Sequence, residues 1–130
     1  MFLCAKSAEI FDMSTRCQVF IIEKLKGKEE RIGTLYHHFD GYPERMVPML
    51  NEAIKKWQKE ATRRPTDSYT LINYIVAEDP SGYMMEPIDG KIHFDLAYLY
   101  EVRVKSKGNN WEWTAQVKTI GTKGIKMRLR

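Results

Sequence analysis

The feature that most constrains the fold is an alternation of apolar and polar side chains near the C-terminal end of the chain. One arm of the pattern is formed by Tyr98, Tyr100, Val102 and Val104. Residues 106–110, SKGNN, have the composition of a turn. The second arm is formed by Trp111, Trp113, Ala115 and Val117. Because successive side chains of a strand point to opposite faces, the pattern predicts a hairpin with one apolar and one polar face, as antiparallel sheets allow.

A second hairpin is predicted near the N-terminal end. Residues 16–25, RCQVFIIEKL, are rich in β-branched and aromatic types, and apolar residues occupy both parities. This composition is typical of a strand that is covered on both faces. Residues 26–29 form a turn, and residues 31–38 read as the returning strand.

The apolar period changes to that of a helix between the hairpins. One apolar stripe is formed by Met46, Leu50, Ala53, Ile54, Trp57 and Ala61. Because a proline inside a helix loses a hydrogen bond, Pro48 predicts that a short turn follows Pro43 and that the main helix begins at about Val47. A second helix, capped by Thr66 or Asp67, is predicted to bury Leu71, Ile72, Ile75 and Val76.

These elements predict an α+β fold in the order ββααββ. We expect an antiparallel sheet of four to five strands with two helices packed on one face. The fifth strand would be an edge strand in the tail GIKMRLR, where Ile125, Met127 and Leu129 alternate with polar residues. The length of 130 residues suits a single domain, residues 1–130, in which residues 1–14 form a poorly ordered N-terminal segment.

The segment YHHFDGYPE, Tyr36 to Glu44, is the most unusual stretch of the chain and allows two interpretations. It is a structural turn if Asp40 and Gly41 form a tight turn, Asp40 caps the following helix, and Tyr36 and Tyr42 pack around it. It is a metal site if His38 and Asp40 meet a second His-x-Asp pair, His93 and Asp95. The structural interpretation uses every residue of the stretch.

The segment LYHHFDGYP, residues 35–43, resembles the signature of a family of small uncharacterised proteins from bacteria, phages and mobile elements. That signature is Tyr-x-His-Trp-Asp-Gly-Tyr-Pro followed by a helix, and Phe39 stands where tryptophan is usual. Residues 95–101, DLAYLYE, are similar to a later acidic residue and Tyr-x-Tyr strand of the family. The resemblance implies a fold and no activity.

The sequence disfavours an enzyme. The candidate acid–base groups, His38, Asp40, Asp95 and Glu101, do not follow a nucleophile–base pattern, and we predict no catalytic residue and no cofactor. The two cysteines do not make a disulfide framework, and no secretory signal or apolar stretch of membrane-spanning length is found. We therefore expect a cytoplasmic protein that does not enter the membrane.

Nucleic-acid binding is the first alternative function. The net charge is +4, and two groups of basic residues are candidates for phosphate contacts. They are Lys55, Lys59, Arg63 and Arg64 in the first helix, and Lys126 and Arg128 in the tail. Trp111 and Trp113 would serve as stacking platforms if exposed. Their parity favours the core instead.

A non-enzymatic binding or assembly module of bacterial or mobile-element origin is the favoured function. A C-terminal edge strand would let the chain pair with a second copy, since open strand edges pair readily and symmetric dimers are common. If the chain has a site, the residues predicted to form it are Tyr36, His38, Asp40, Tyr42, His93 and Asp95. A metal-binding protein that uses the histidine and aspartate residues among them is the second alternative.

Overall fold

A mixed five-stranded sheet forms the centre of the computed structural model, which describes residues 15–108 and 112–129. The elements in chain order are β1 (Cys17–Leu25), β2 (Lys28–His37), α1 (Pro43–Ala61), α2 (Thr70–Glu78), β3 (Tyr83–Glu86), β4 (Tyr98–Ser106), β5 (Trp113–Ile120) and α3 (Thr122–Arg128). The strand order across the sheet is β3-β2-β1-β4-β5. The predicted α+β class is confirmed. Residues 1–14, predicted to be poorly ordered, lie outside the described residues.

The two predicted hairpins are present, but the sheet is not purely antiparallel. Strands β1 and β2 pair in antiparallel register, as do β4 and β5. Strand β4 lies beside β1 in parallel, with Cys17 opposite Tyr98. The two helices connect β2 to its antiparallel neighbour β3, and the segment 87–97 then crosses the sheet to β4, which runs in the same direction as β3 and β1.

Two elements of the C-terminal half were missed. Strand β3 lies inside the segment from Pro80 to Gly90, and it pairs with the end of β2. The tail predicted as an edge strand is helix α3, in which Ile125 is buried while Met127 and Leu129 are exposed. Ile125 packs on Leu99 and Ile120, on the sheet face that was predicted to be polar. The helix removes these apolar side chains from water, which stabilises the fold.

Helices α1 and α2 cover the first face of the sheet, as predicted. Trp57 of α1 is fully buried, and its ring lies 5.4 Å from that of Trp113, centroid to centroid. Trp113 therefore belongs to the core and does not provide a stacking platform. Trp111 lies outside the described residues.

Helix α1 begins earlier than predicted. Pro43 lies in its first turn and Pro48 inside the helix, on an exposed position. The cap residue is Tyr42, which makes no side-chain cap hydrogen bond, so the prediction that Asp40 caps the helix is wrong. The apolar stripe on α1 compensates for the one backbone bond that Pro48 removes.

The turn between β2 and α1 depends on two adjacent residues. Asp40 has a φ of 55°, in the left-handed region that aspartate tolerates better than most residues. A Cβ on Gly41 would lie 2.9 Å from Cys17 Sγ and 3.0 Å from the Thr15 carbonyl oxygen. The hydroxyl of Tyr100 donates a hydrogen bond of 2.6 Å to the Gly41 carbonyl. The turn is therefore fixed against both β1 and β4.

The second face of the sheet is covered only in part. The segment 87–97 runs from the end of β3 over β2 and β1 toward the start of β4. Helix α3 packs on the start of β4 and the end of β5. Phe20, Leu99 and Ile120 are buried with Leu96 and Ile125 under these two pieces. No helix among the described residues combines the length and apolar character needed to cross a membrane.

The close packing of Gly41 leads to a first prediction. Gly41→Ala should lower the free energy of unfolding by about 1–3 kcal/mol, because the added methyl group overlaps backbone and a buried sulfur. Asp40→Gly, one residue earlier, should be neutral or stabilising by up to about 1 kcal/mol, since glycine adopts a positive φ without cost. Urea denaturation measures both. Equal losses in the two variants would contradict this account of the turn.

Candidate functional site

Tyr36 lies at the centre of the candidate site, on the second face of the sheet near the edge strand β3. Its hydroxyl oxygen is 2.8 Å from Nδ1 of His38. The Tyr36 and His93 rings are in contact, with centroids 4.8 Å apart. The His38 ring in turn contacts the ring of Phe39 at 4.5 Å. The structure thus brings together three of the predicted site residues: Tyr36, His38 and His93.

The segment that carries His93 is held in place by Gln18, a fully buried residue of β1. The Gln18 amide donates to Glu86 Oε1 at 2.8 Å and to the Lys91 carbonyl at 3.1 Å. Its carbonyl oxygen accepts a bond of 3.0 Å from the His93 backbone N–H. Glu86 Oε2 is 2.7 Å from His93 Nε2. A buried amide with three partners strongly favours one position of the segment.

Charged groups surround Tyr36. Asp95 forms an ion pair of 2.7 Å with Arg16, at the start of β1. Burial raises the pKa of Tyr36, Arg16 opposes this shift, and Asp95 and Glu86 add to it. The phenol therefore stays protonated at neutral pH, which suits it for hydrogen bonding and ring contacts more than for proton abstraction.

The other predicted site residues have different positions. Asp40 lies in the turn with a positive φ, and Tyr42 is the cap residue of α1. Within residues 15–108 and 112–129, no three His, Cys, Asp or Glu side chains group in a way that could hold a metal ion. The residues of the metal hypothesis therefore do not form a ligand cluster in this part of the chain; they are His38, Asp40, His93 and Asp95.

Exposed apolar side chains extend the Tyr36 cluster along the surface. Met84 of β3 is the cross-strand partner of Tyr36 and is 60% exposed. Phe94 is 88% exposed and, with His93, lines a shallow depression of about 350 Å³. We call this surface the apolar patch; its residues are Tyr36, His38, Phe39, Met84, His93 and Phe94. Exposed apolar clusters of this kind mark interaction surfaces.

Sequence reasoning missed a buried polar cluster on the first face. His37, which is 2% exposed, contacts Asp79 Oδ2 through Nε2 at 2.7 Å, and Arg45 Nη2 donates to the same oxygen at 3.2 Å. A Cβ on Gly82 would overlap both His37 and Asp79. The parity of β2 could have indicated that His37 points into the core, but its partner lies 42 residues away and leaves no local signal.

The hydrogen bond from His37 lowers the pKa of Asp79; burial opposes this effect, and Arg45 adds to it. His37 Nδ1, Arg45 Nη1 and the Tyr83 hydroxyl are buried without a partner among the described residues. Ordered water usually satisfies such atoms. The cluster joins β2, α1 and the end of α2, and its main role is to hold these elements together.

The residues predicted to contact nucleic acid do not form one surface. Lys55, Lys59, Arg63 and Arg64 lie on or just after the exposed side of α1, over the first face of the sheet. Lys126 and Arg128 lie on α3, over the second face. Arg128 is bound to the buried carboxylate of Glu101. The two groups therefore cannot bind the same stretch of phosphates side by side.

The role of Gln18 can be tested by truncation. Gln18→Ala should lower the free energy of unfolding by about 2–4 kcal/mol and increase amide hydrogen exchange in residues 87–97, because it leaves buried groups unpaired. Gln58→Ala is the matched control. The Gln58 side chain donates one bond, to the Trp113 carbonyl, so a loss of about 1 kcal/mol is expected there. Unchanged exchange in segment 87–97 would contradict the positioning role of Gln18.

The Asp79 cluster makes stability depend on pH. The folded pKa of Asp79 lies below its ordinary value of 3.8, so the carboxylate stabilises the fold above that pH and loses this contribution as the pH falls through the folded pKa. The difference in free energy of unfolding between the wild type and Asp79→Asn should therefore be larger at about pH 5 than at about pH 3.

Exposed Asp89 provides the control for this measurement. Asp89→Asn should change the free energy of unfolding by no more than about 0.5 kcal/mol. A difference for Asp79→Asn that grows toward acid pH would show that the carboxylate does not stabilise the fold.

Known proteins give no guide to the role of this site. Comparison of the chain with protein-family models, with curated proteins and with solved structures found no match. The resemblance of residues 35–43 to a bacterial and phage family stays a prediction. Function must therefore be inferred from the geometry of the site.

Proposed function

We propose that the chain is a non-enzymatic assembly module that binds a second copy of itself through the apolar patch and the edge of β3. The observation that carries this proposal is the exposure of Met84, Met85, Ile88 and Phe94 on and beside that edge. Large apolar side chains on a short segment gain free energy when a partner removes them from water.

The open edge of β3 indicates how two copies would pair. β3 pairs with β2 on one side and is the last strand of the sheet on the other. Its four residues leave a short row of backbone donors and acceptors open, which an equivalent strand of a second copy can pair with. A twofold axis through this edge would bring two apolar patches together, as in an isologous dimer.

The energetics favour a dimer of moderate affinity. A twofold dimer buries these four side chains on each copy, and each contributes about 1.5–3 kcal/mol, so the eight together contribute roughly 12–24 kcal/mol. Association costs about 4–15 kcal/mol in lost freedom, and strand pairing offsets part of this cost. We therefore propose a dissociation constant in the micromolar range.

The predicted C-terminal edge strand no longer supports self-association, since the tail is α3. The other edge strand, β5, exposes Gln116 and Lys118 and offers little apolar surface. The proposed self-association surface is therefore the edge of β3 and not the C-terminal edge. The proposed function is still that of an assembly module, as predicted from the sequence.

We also propose a bacterial or mobile-element origin and a cytoplasmic location. The resemblance of LYHHFDGYP supports the origin. The two cysteines of the sequence do not make a disulfide framework, which supports a reducing location. Cys17 is a free thiol in the core, and burial raises its pKa to about 12. A thiol of this kind is unreactive and does not serve as a nucleophile.

Sedimentation velocity tests the dimer over roughly three decades of concentration around the micromolar range. We expect the wild type to change from monomer to dimer. Met84→Lys combined with Phe94→Ser should weaken the dimer by at least about 10-fold, because two of its main apolar contacts are lost.

Helix α3 offers a matched control. Met127→Lys combined with Leu129→Ser also removes two exposed apolar side chains, but away from the patch, and should leave the dimer unchanged. A wild type that stays monomeric at the highest concentration refutes the proposal. A control that weakens the dimer as much as the patch variant would place the interface on α3.

A further inference from the structure

A second surface of different character lies on the same face of the sheet, beyond the segment 87–97 and α3. Lys24 of β1 and Lys105 of β4 are register partners, and both are exposed. A depression of about 280 Å³ lies here, and its lining consists of these two lysines with Glu29, Arg103, Val104, Thr114 and Gln116. Lys118, two residues after Gln116 on β5, extends this surface toward α3. We call Lys24, Arg103, Lys105, Gln116 and Lys118 the basic sheet face.

The acidic groups of this surface are already neutralised. Glu101 is 3% exposed and accepts hydrogen bonds from Arg103 and Arg128. Arg103 also donates to Glu29 at 3.0 Å. Burial alone would raise the pKa of Glu101, but the bonds from Arg128 and Arg103 outweigh it and lower that pKa. Glu29 and Glu101 therefore do not offset the lysines to the extent that their formal charges suggest.

Three lysines remain free on the surface. Lys24, Lys105 and Lys118 take part in no ion pair with any of the described residues. Lys24 and Lys105 lie opposite each other on neighbouring strands, an arrangement of like charges that costs stability. Glu29 is the register partner of Lys24 on β2, and Glu101 is that of Lys118 on β4. Both carboxylates are bound by arginines, so the surface keeps a net positive charge that a negatively charged ligand would neutralise.

We propose that the basic sheet face binds the phosphate backbone of single-stranded nucleic acid. Charge complementarity identifies the partner as a polyanion. The amide of Gln116 and the hydroxyl of Thr114 add hydrogen-bonding groups of the kind that contact phosphate and sugar oxygens. The apolar residue in the lining of the depression, Val104, is buried, so this depression has no exposed apolar group that would insert into a lipid surface.

The width of the surface favours one strand over a duplex. The three strands β1, β4 and β5 span roughly 10 Å between their outer axes, at about 4.8 Å per step. A flexible single strand can follow a surface of this width. A rigid duplex cannot adjust the positions of its phosphates to those of the three lysines, and would therefore contact fewer of them at once.

The binding mode predicts a weak, salt-dependent interaction without sequence preference. Each phosphate contact contributes a slope of about −0.7 to the logarithm of the binding constant against the logarithm of salt concentration. Three lysines therefore account for a slope of about −2. None of the five residues of the basic sheet face is aromatic, so stacking on this surface adds nothing to base selectivity.

The experiment is fluorescence anisotropy with a labelled single-stranded oligonucleotide of mixed sequence, titrated at several salt concentrations. Lys24→Gln, Lys105→Gln and Lys118→Gln are combined in one variant. We expect its affinity at low salt to fall by at least about 10-fold and the magnitude of its salt slope to fall by about 2. Because the three side chains are exposed, thermal melting should confirm that the variant folds like the wild type.

The control removes the same charge from another surface. This variant combines Lys55→Gln and Lys59→Gln on α1 with Arg63→Gln just after it. It should keep most of the wild-type affinity. Equal losses in both variants would show that net charge alone drives binding and would overturn the proposal. A larger loss in the α1 variant would move the site to that helix.

Two further titrations, with a duplex and with lipid vesicles, identify the kind of ligand. A duplex of the same sequence should bind less tightly than the single strand, and vesicles that contain phosphatidylglycerol should bind less tightly than either. Tighter binding of the duplex or of the vesicles overturns the assignment to single strands. A wild type that binds no oligonucleotide at low salt overturns it as well.

Discussion

The whole structure depends on β1, a strand that is paired on both sides and covered on both faces. Its neighbours are β2 and β4, and six of its nine residues, from Cys17 to Ile22, are buried. One face of β1 packs under α1 and α2, while the other carries Gln18 and Phe20 under the segment 87–97. Because β1 is buried on both faces, the chain must supply a second covering layer, and this layer carries part of the apolar patch while it leaves the basic sheet face open.

The elements predictable from the sequence are those whose pattern is local. The two hairpins, α1 and α2 follow from periods of two and 3.6 residues, as Trp57 and Val102 illustrate. Strand β3 does not follow, since four residues are too few for a period. Helix α3 does not follow either, because the spacing of Ile125, Met127 and Leu129 has the period of a strand although the helix buries only Ile125. The parallel pairing of β1 with β4 depends on the length of the crossover and on packing, neither of which a local pattern contains.

The candidate site also combines residues that the sequence indicates with residues that only the contacts between distant segments reveal. Tyr36, His38 and His93 could be selected from the sequence because their residue types are unusual, and the structure brings them together. Gln18 and Glu86, which hold His93 in place, are unremarkable in sequence and acquire their role from contacts across the sheet. His37 shares the parity of buried Leu35 in β2, which places it on the core face, whereas only its neighbour His38 was predicted as a site residue.

The parallel contact between β1 and β4 has a consequence for how the chain folds. It pairs Cys17 with Tyr98, which are 81 residues apart in the sequence. Closing such a loop is slow, so the β1–β2 hairpin can form long before β4 arrives. During synthesis, the apolar edge of β1 therefore stays open until β4 has been made, and an open edge of this kind is exposed to aggregation.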